Sequence, residues 1–292
     1  MRLLFLGLLA VSSAVFGQTN PEIFLMEVSN DLGEFKISNF RNITNNEGYD
    51  SQPSFSDNNT LLFAGTENGQ TEIMSYYLKN NTTLRINKPT SGGEYSPQKF
   101  PNNNEIAAVR LDTTGLQRLY AYKNSTIEQG TSRILLNNLE VAYYAFHDNN
   151  RIIASVLGGN QLNLVIANLK TGEVMPYLEN SGRSIHNIPN STSVSYTAVN
   201  EDGNNDVFIV DIDDDKESYF VCQLPIGIED HCWLNESILL LGSGARLYKY
   251  DFYGKQEWVE VANLSNYNIS EISRITVSPN GKNIALVANI NN

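Results

Sequence analysis

A unit of ~45 residues recurs along this chain, and such a period leaves few folds open to it. With Phe55 as a landmark, the equivalent residues are Phe100, Phe146, Ile188, Trp233 and Val277, at steps of 45, 46, 42, 45 and 44. A polar turn follows each landmark: Asp57-Asn58-Asn59, Asn102-Asn103-Asn104, Asp148-Asn149-Asn150, Asn190-Ser191-Thr192, Asn235-Glu236-Ser237 and Pro279-Asn280-Gly281. Asn and Asp suit such turns because they tolerate left-handed backbone and bond to it locally. After each turn comes an apolar run, at 61–64, 106–109, 152–156, 194–199, 238–241 and 284–287. Leu61-Leu62-Phe63 is too short and unbroken for a surface helix and suits a strand buried on both faces.

Third strands are predicted to start at Ile73, Leu119, Leu164, Val207 and Leu247. The sixth copy stands at the N-terminus, where Pro21-Glu22-Ile23-Phe24-Leu25-Met26-Glu27 matches Thr71-Glu72-Ile73-Met74-Ser75-Tyr76-Tyr77. Fourth strands follow at 35–40, 83–87, 133–136, 174–178, 218–224 and 258–264. The series is therefore circularly shifted: it begins with strands three and four and ends with strands one and two. An open stack would leave half a sheet with a bare edge at each end. A closed ring gains a seam in which the N-terminal pair completes the C-terminal pair. Four strands per ~45-residue unit define a β-propeller. The fold expected is all-β, with six blades at 48–90, 92–138, 139–181, 182–225, 227–265 and 270–292 joined by 21–44.

Ser278-Pro279-Asn280-Gly281-Lys282-Asn283-Ile284-Ala285, and Pro53-Ser54-Phe55-Ser56 with Glu72-Ile73-Met74, resemble the WD40-like (PD40) repeats of the TolB type. Those repeats have a Pro-x-Phe/Trp-Ser-Pro-Asp-Gly core and a later Gly-x-x-Asp-Ile-Tyr. The likeness covers the chain from Gln18 onward, closely in the first and last repeats and loosely between. Repeats four and five, at Ile188-Pro189-Asn190 and Trp233-Leu234-Asn235, keep little of the motif. The resemblance implies a propeller that binds in the bacterial envelope. The separate α/β domain that precedes the TolB propeller is not expected, since few residues separate Gln18 from the first strand.

Residues 1–17 read as an export signal: Arg2 is the charged start, 3–11 the apolar stretch, and Val15-Phe16-Gly17 the cleavage site. So short a stretch cannot span ~30 Å of hydrocarbon, and no Cys follows it to carry a lipid. A periplasmic or secreted protein is expected. Cleavage removes Arg2 and leaves 32 acidic against 19 basic residues, a net charge of −13. That balance excludes nucleic acid and anionic membrane as partners. The two cysteines, Cys222 and Cys232, are a candidate disulfide in an oxidising compartment, or else two buried thiols.

No hydrolase elbow, zinc spacing, P-loop or dinucleotide fingerprint occurs. Carboxylates precede the first strand of most repeats: Asp50, Glu94, Glu140, Glu229 with Asp230, and Glu271; repeat four offers Arg183 instead. They are expected to ring one mouth of the channel and to favour a cation such as calcium or a basic ligand. His186 and His231 stand two residues before their landmarks, so the two imidazoles are expected to meet near the channel wall. With Asp230 or Glu229 they are a candidate metal set; otherwise they are a hydrogen-bonded pair. Two functions compete. One is a non-enzymatic module holding a protein, peptide or glycan at the channel mouth. The other is a metal-dependent propeller enzyme, of lyase, lactonase or glycosidase type, acting on a carbohydrate-like substrate.

Overall fold

The unbroken apolar runs become the strands buried on both faces, and every sheet is built around one. The computed structural model describes residues 20–31, 34–124, 131–214 and 216–291. The export signal expected over 1–17 lies outside the described residues. The chain opens with β1 (Glu22–Asp31) and β2 (Glu34–Asn42). Blade one is β3 (Ser51–Asp57), β4 (Thr60–Glu67), β5 (Gln70–Tyr77) and β6 (Thr82–Arg85). Blade two is β7 (Gly93–Lys99), β8 (Glu105–Leu111), β9 (Gln117–Lys123) and β10 (Ser132–Ile134). Blade three is β11 (Val141–Phe146), β12 (Arg151–Gly158), β13 (Gln161–Asn168) and β14 (Val174–Leu178). Blade four is β15 (Ser181–Asn187), β16 (Val194–Val199), β17 (Asn205–Val210) and β18 (Ser218–Gln223). Blade five is β19 (Cys232–Trp233), β20 (Ile238–Ser243), β21 (Arg246–Asp251) and β22 (Trp258–Asn263). The chain ends with β23 (Ile269–Val277) and β24 (Asn283–Ile290).

The last two strands join the first two in one antiparallel sheet of order β2-β1-β24-β23. Phe24 lies opposite Leu286, and Leu25 opposite Ala285. This is the seam the circular shift requires, and it makes blade six. The other five sheets each run in chain order from the inner strand outward.

Buried side chains fall into six layers, one between each pair of neighbouring blades. Alternation along β1 shows how. Ile23 and Leu25 pack with Leu61, Phe63 and Tyr76 of blade one. Phe24, Met26 and Val28 point the other way, into a layer with Cys232, Leu240 and Leu247 of blade five. Leu62 and Ile73 meet Ile106 and Tyr120 between blades one and two. The remaining layers join blades two and three, three and four, and four and five. The ring is thus closed by packing as well as by hydrogen bonds.

The same two-faced geometry keeps the cysteines apart. Cys222, on β18, packs with Trp233 and Leu239 between blades four and five. Cys232, on β19, packs on the other face of blade five, with Leu240 and Ile284. Both thiols are buried and free, so the candidate disulfide is not formed. Burial pushes the Cys222 thiol up to about 12 and Cys232 well above its usual value. Ellman's reagent at pH 8 is expected to detect no thiol in the native protein and both cysteines after denaturation without reductant. Failure to detect thiols in the denatured protein would restore the disulfide.

The inner strands start earlier than their landmarks suggest. Register slips interrupt them, between Ser51 and Ser54, Tyr95 and Gln98, Val141 and Tyr143, and Ser181 and Ile185. In the first two a proline that cannot donate to the ladder sits in the slip, behind a left-handed residue: Gln52 (φ 56°) before Pro53 and Ser96 (φ 50°) before Pro97. Each bulge tips backbone and polar side chains toward the axis of the ring.

Candidate functional site in the central channel

The inner edges of all six blades surround one cavity of about 80 Å³. Its polar lining is Gln52 and Ser54 of blade one, Ser96 and Gln98 of blade two, Tyr143 of blade three, Arg183 and His186 of blade four, Asp230 before blade five, and Arg274 of blade six. Part of the wall is held by bonds that cross from blade to blade. The Ser96 N–H donates to Gln52 Oε1 at 2.8 Å, and Ser54 Oγ donates to the Pro97 carbonyl at 2.5 Å. Gln98 Nε2 donates to the Tyr144 carbonyl at 2.6 Å. The Tyr144 hydroxyl lies 2.9 Å from the Ala107 carbonyl and 3.0 Å from that of Ser96. Bulges supply the free acceptors, and amide side chains fix the strained turns in place.

The two histidines stand side by side, with ring centroids 5.1 Å apart and planes at 73°. Ser184 Oγ lies between them, 3.0 Å from His186 Nε2 and 3.0 Å from His231 Nδ1. His231 is fully buried, and its Nε2 lies 2.9 Å from Ser195 Oγ, which accepts the Trp233 indole N–H at 2.8 Å. Both nitrogens of His231 are therefore engaged. Burial lowers both imidazoles below their usual value; the Arg274 charge adds to the effect at His186 while Asp230 opposes it. Among the described residues no three His, Cys, Asp or Glu side chains gather as a metal-ligating set.

The expected carboxylates do not share one opening. Asp50 is 2% exposed; it sits between blades six and one, beside Glu22 and under Thr66, and burial followed by the Glu22 charge raises it to about 7. Glu94 is fully buried inside β7, not in the loop before it. It accepts from Thr90 Oγ1 at 2.8 Å and from the Tyr122 hydroxyl at 3.0 Å, and burial, with Glu72 beside it, raises it to about 7. Glu229 is exposed but pairs with Arg183 at 2.9 Å. Asp230 is buried and accepts the Ile275 N–H at 3.0 Å. Glu140 and Glu271 are the exposed remainder, and Glu271 sits within β23 on the wall of a second cavity that shares Arg183, Asp230 and Arg274 with the first.

Arginines take the position the carboxylates were expected to hold. Arg183 Nη2 donates to the Ser273 carbonyl at 2.8 Å, reaching from blade four past blade five to blade six. Its Nε is buried and has no partner. Arg274 extends from blade six toward blade three, the opposite side of a six-membered ring, and its guanidinium carbon stands 5.6 Å from the Tyr143 ring centroid. Arg274, Tyr143, Gln52 and Gln98 were not singled out in the sequence. The one signal for them is position: each lies a few residues before its landmark, where an inner strand faces the channel.

No known protein-family profile matches the chain. No curated protein matches it in sequence either. Solved structures do match in shape. A protein of Agrobacterium tumefaciens assigned as a TolB superposes with a TM-score of 0.71 at 12% identity, over 94% of this chain and 100% of that one. TolB from Acinetobacter baumannii gives 0.60 at 11%, over 92% of this chain and 63% of that one. An oligogalacturonate lyase in complex with manganese gives 0.53 at 11%, over 91% and 85%. The chain is a six-bladed β-propeller with a TolB-like fold. At these identities the likeness establishes architecture and leaves activity to the site itself.

Proposed function

We propose that this protein is an exported, non-enzymatic propeller of the bacterial envelope or secreted space that binds a partner, a protein or peptide above all, at the mouth of its central channel. The observation that carries the reading is the channel wall. Polar groups from six blades converge on one cavity, and interblade hydrogen bonds hold part of its wall in place before any ligand arrives. The TolB-like fold supports this reading by analogy. No helix among the described residues is long and apolar enough to cross a membrane. The carboxylates that suggested a basic partner are enclosed or paired, apart from Glu140 and Glu271, so the reading no longer asks for one.

The test is position-specific photo-crosslinking in envelope extract. A photoreactive side chain at Glu271, on the mouth, is expected to capture a discrete protein. The same side chain at Asn80, on an outer turn of blade one, is expected to capture none. Equal capture at both positions, or none at Glu271, would remove the channel-mouth reading. A propeller enzyme is the second reading. It is favoured by His186, an uncharged imidazole held by Ser184 and close to Asp230 and Arg274 in the same cavity. Turnover of an acidic oligosaccharide such as trigalacturonate, with or without added divalent cation, would replace the first reading by this one.

A further inference from the structure

The charge inside the channel is opposite to the charge outside it. The whole chain carries −12 at pH 7. The charged groups lining the cavity are Arg183 and Arg274 against Asp230 alone. Arg183 is shared with Glu229 at the rim but keeps a buried, unpartnered Nε. Arg274 makes no ion pair within 4 Å among the described residues; it overlies the Tyr143 ring, and the charge that offsets its burial is Asp230, the same carboxylate that accepts the Ile275 N–H. Asp230 is the one carboxylate on the cavity wall against two guanidinium groups, and their planar donors outnumber its acceptors. Nothing in the packing of β23 requires a cation there, because Ile272 and Ile275 supply its buried contacts.

We infer that the channel binds a carboxylate, seated between Arg274 and Arg183, and that the partner delivers it on an acidic peptide segment. This rests on the binding reading above. A guanidinium presents forked donors that match the two oxygens of a carboxylate, and a water-poor channel strengthens the pair. The slender stem of an aspartate or glutamate suits the site better than a sugar ring. Of the two tyrosines lining the cavity, Tyr144 is buried with its hydroxyl on backbone carbonyls and Tyr143 is covered by Arg274, so neither offers a pyranose an open stacking face. Gln98 Nε2 is spent on the Tyr144 carbonyl and Ser54 Oγ on the Pro97 carbonyl, so beyond Gln52 Nε2 neutral side-chain donors for sugar hydroxyls are few.

The probe is a capped pentapeptide alternating glycine and glutamate, with its glutamine counterpart as control, titrated into 15N-labelled protein. The glutamate peptide is expected to shift the side-chain Nε–H signals of Arg274 and Arg183, and the glutamine peptide to leave them in place. Arg274→Met is expected to weaken glutamate-peptide binding by at least about tenfold. Arg183→Gln, which leaves the blade six layer untouched, is the second variant, and the same weakening is expected of it should Arg274→Met not fold. Equal binding of both peptides, binding of neither, or full affinity in the variants would overturn the inference. Binding of trigalacturonate without binding of the glutamate peptide would overturn the peptide assignment. A partner crosslinked at Glu271 that Arg274→Met still captures would end the carboxylate site and leave the binding reading standing.

Discussion

A chain lacking residues 21–44 is expected not to fold cooperatively. Those residues hold β1 and β2, half of blade six. Without them β24 loses one of its two partner strands along Asn283 to Ala288 and keeps only β23, and two interblade layers lose one wall. Ile23, Phe24, Leu25, Met26 and Val28 are each at most 8% exposed. At ~2 kcal/mol for each buried side chain, their loss comes to about 10 kcal/mol, which matches the whole stability of an ordinary domain. Leu25→Ala, which keeps the strand, is expected to cost ~3 kcal/mol and still fold. Calorimetry with limited proteolysis measures both. Cooperative melting of the deletion variant at the parent temperature would show that the seam contributes little and that the ring is held elsewhere.

The second large effect is a loss of stability as pH rises toward neutrality. Asp50 and Glu94 are both raised to about 7, chiefly by burial, and each faces a second carboxylate across a blade seam: Glu22 for Asp50, Glu72 for Glu94. The two seams repeat one arrangement, in which a carboxylate at the start of a third strand meets one at the start of the next blade's inner strand. Donors from Thr66, Asn46 and Thr44 at Asp50, and from Thr90 and Tyr122 at Glu94, oppose the shift without reversing it. In the unfolded chain both groups ionise near pH 4. Between about pH 4 and 7 the unfolded state therefore sheds protons that the folded state retains, and stability falls with rising pH. The contribution is fully present below pH 4 and is lost once the pH passes about 7. For Asp50 the span from 3.8 to about 7 corresponds to roughly 4 kcal/mol, an order-of-magnitude figure. Asp50→Asn and Glu94→Gln are expected to raise Tm at pH 8 and to flatten the pH profile, while matching the parent near pH 4. Guanidinium unfolding at both pH values is the measurement. Lower stability of Asp50→Asn at pH 8 would mean that the ionised carboxylate is held by its donors and that the seam stores no such cost.

How much of this was legible before the structure follows from where each residue faces. The second strands are buried on both sides, so they write unbroken apolar runs such as Leu61 to Phe63, spaced by one blade. Polar turns with left-handed Asn, as at Asn102 and Asn190, mark their ends. Period, strand count and circular shift are all local or additive properties of the chain, so the sequence by itself determined six blades and a seam between its two ends. It also placed His186 and His231 in equivalent positions of adjacent blades, and their rings do stand together.

The site was decided by tertiary structure alone. Channel-facing residues are marked only by position, mostly two or three before each landmark, and share no residue type; bulges at Gln52-Pro53 and Ser96-Pro97 further move the start of the inner strands relative to their landmarks. That displacement draws Glu94 into a seam, where the sequence suggested an open loop. Charge pairing across the ring is equally hidden. Arg183 finds the Ser273 carbonyl 90 residues away, and Arg274 finds Tyr143 on the opposite blade. A count of carboxylates predicts the sign of the surface. The sign of the channel depends on which charges the closed ring turns inward, and only the closed ring fixes that.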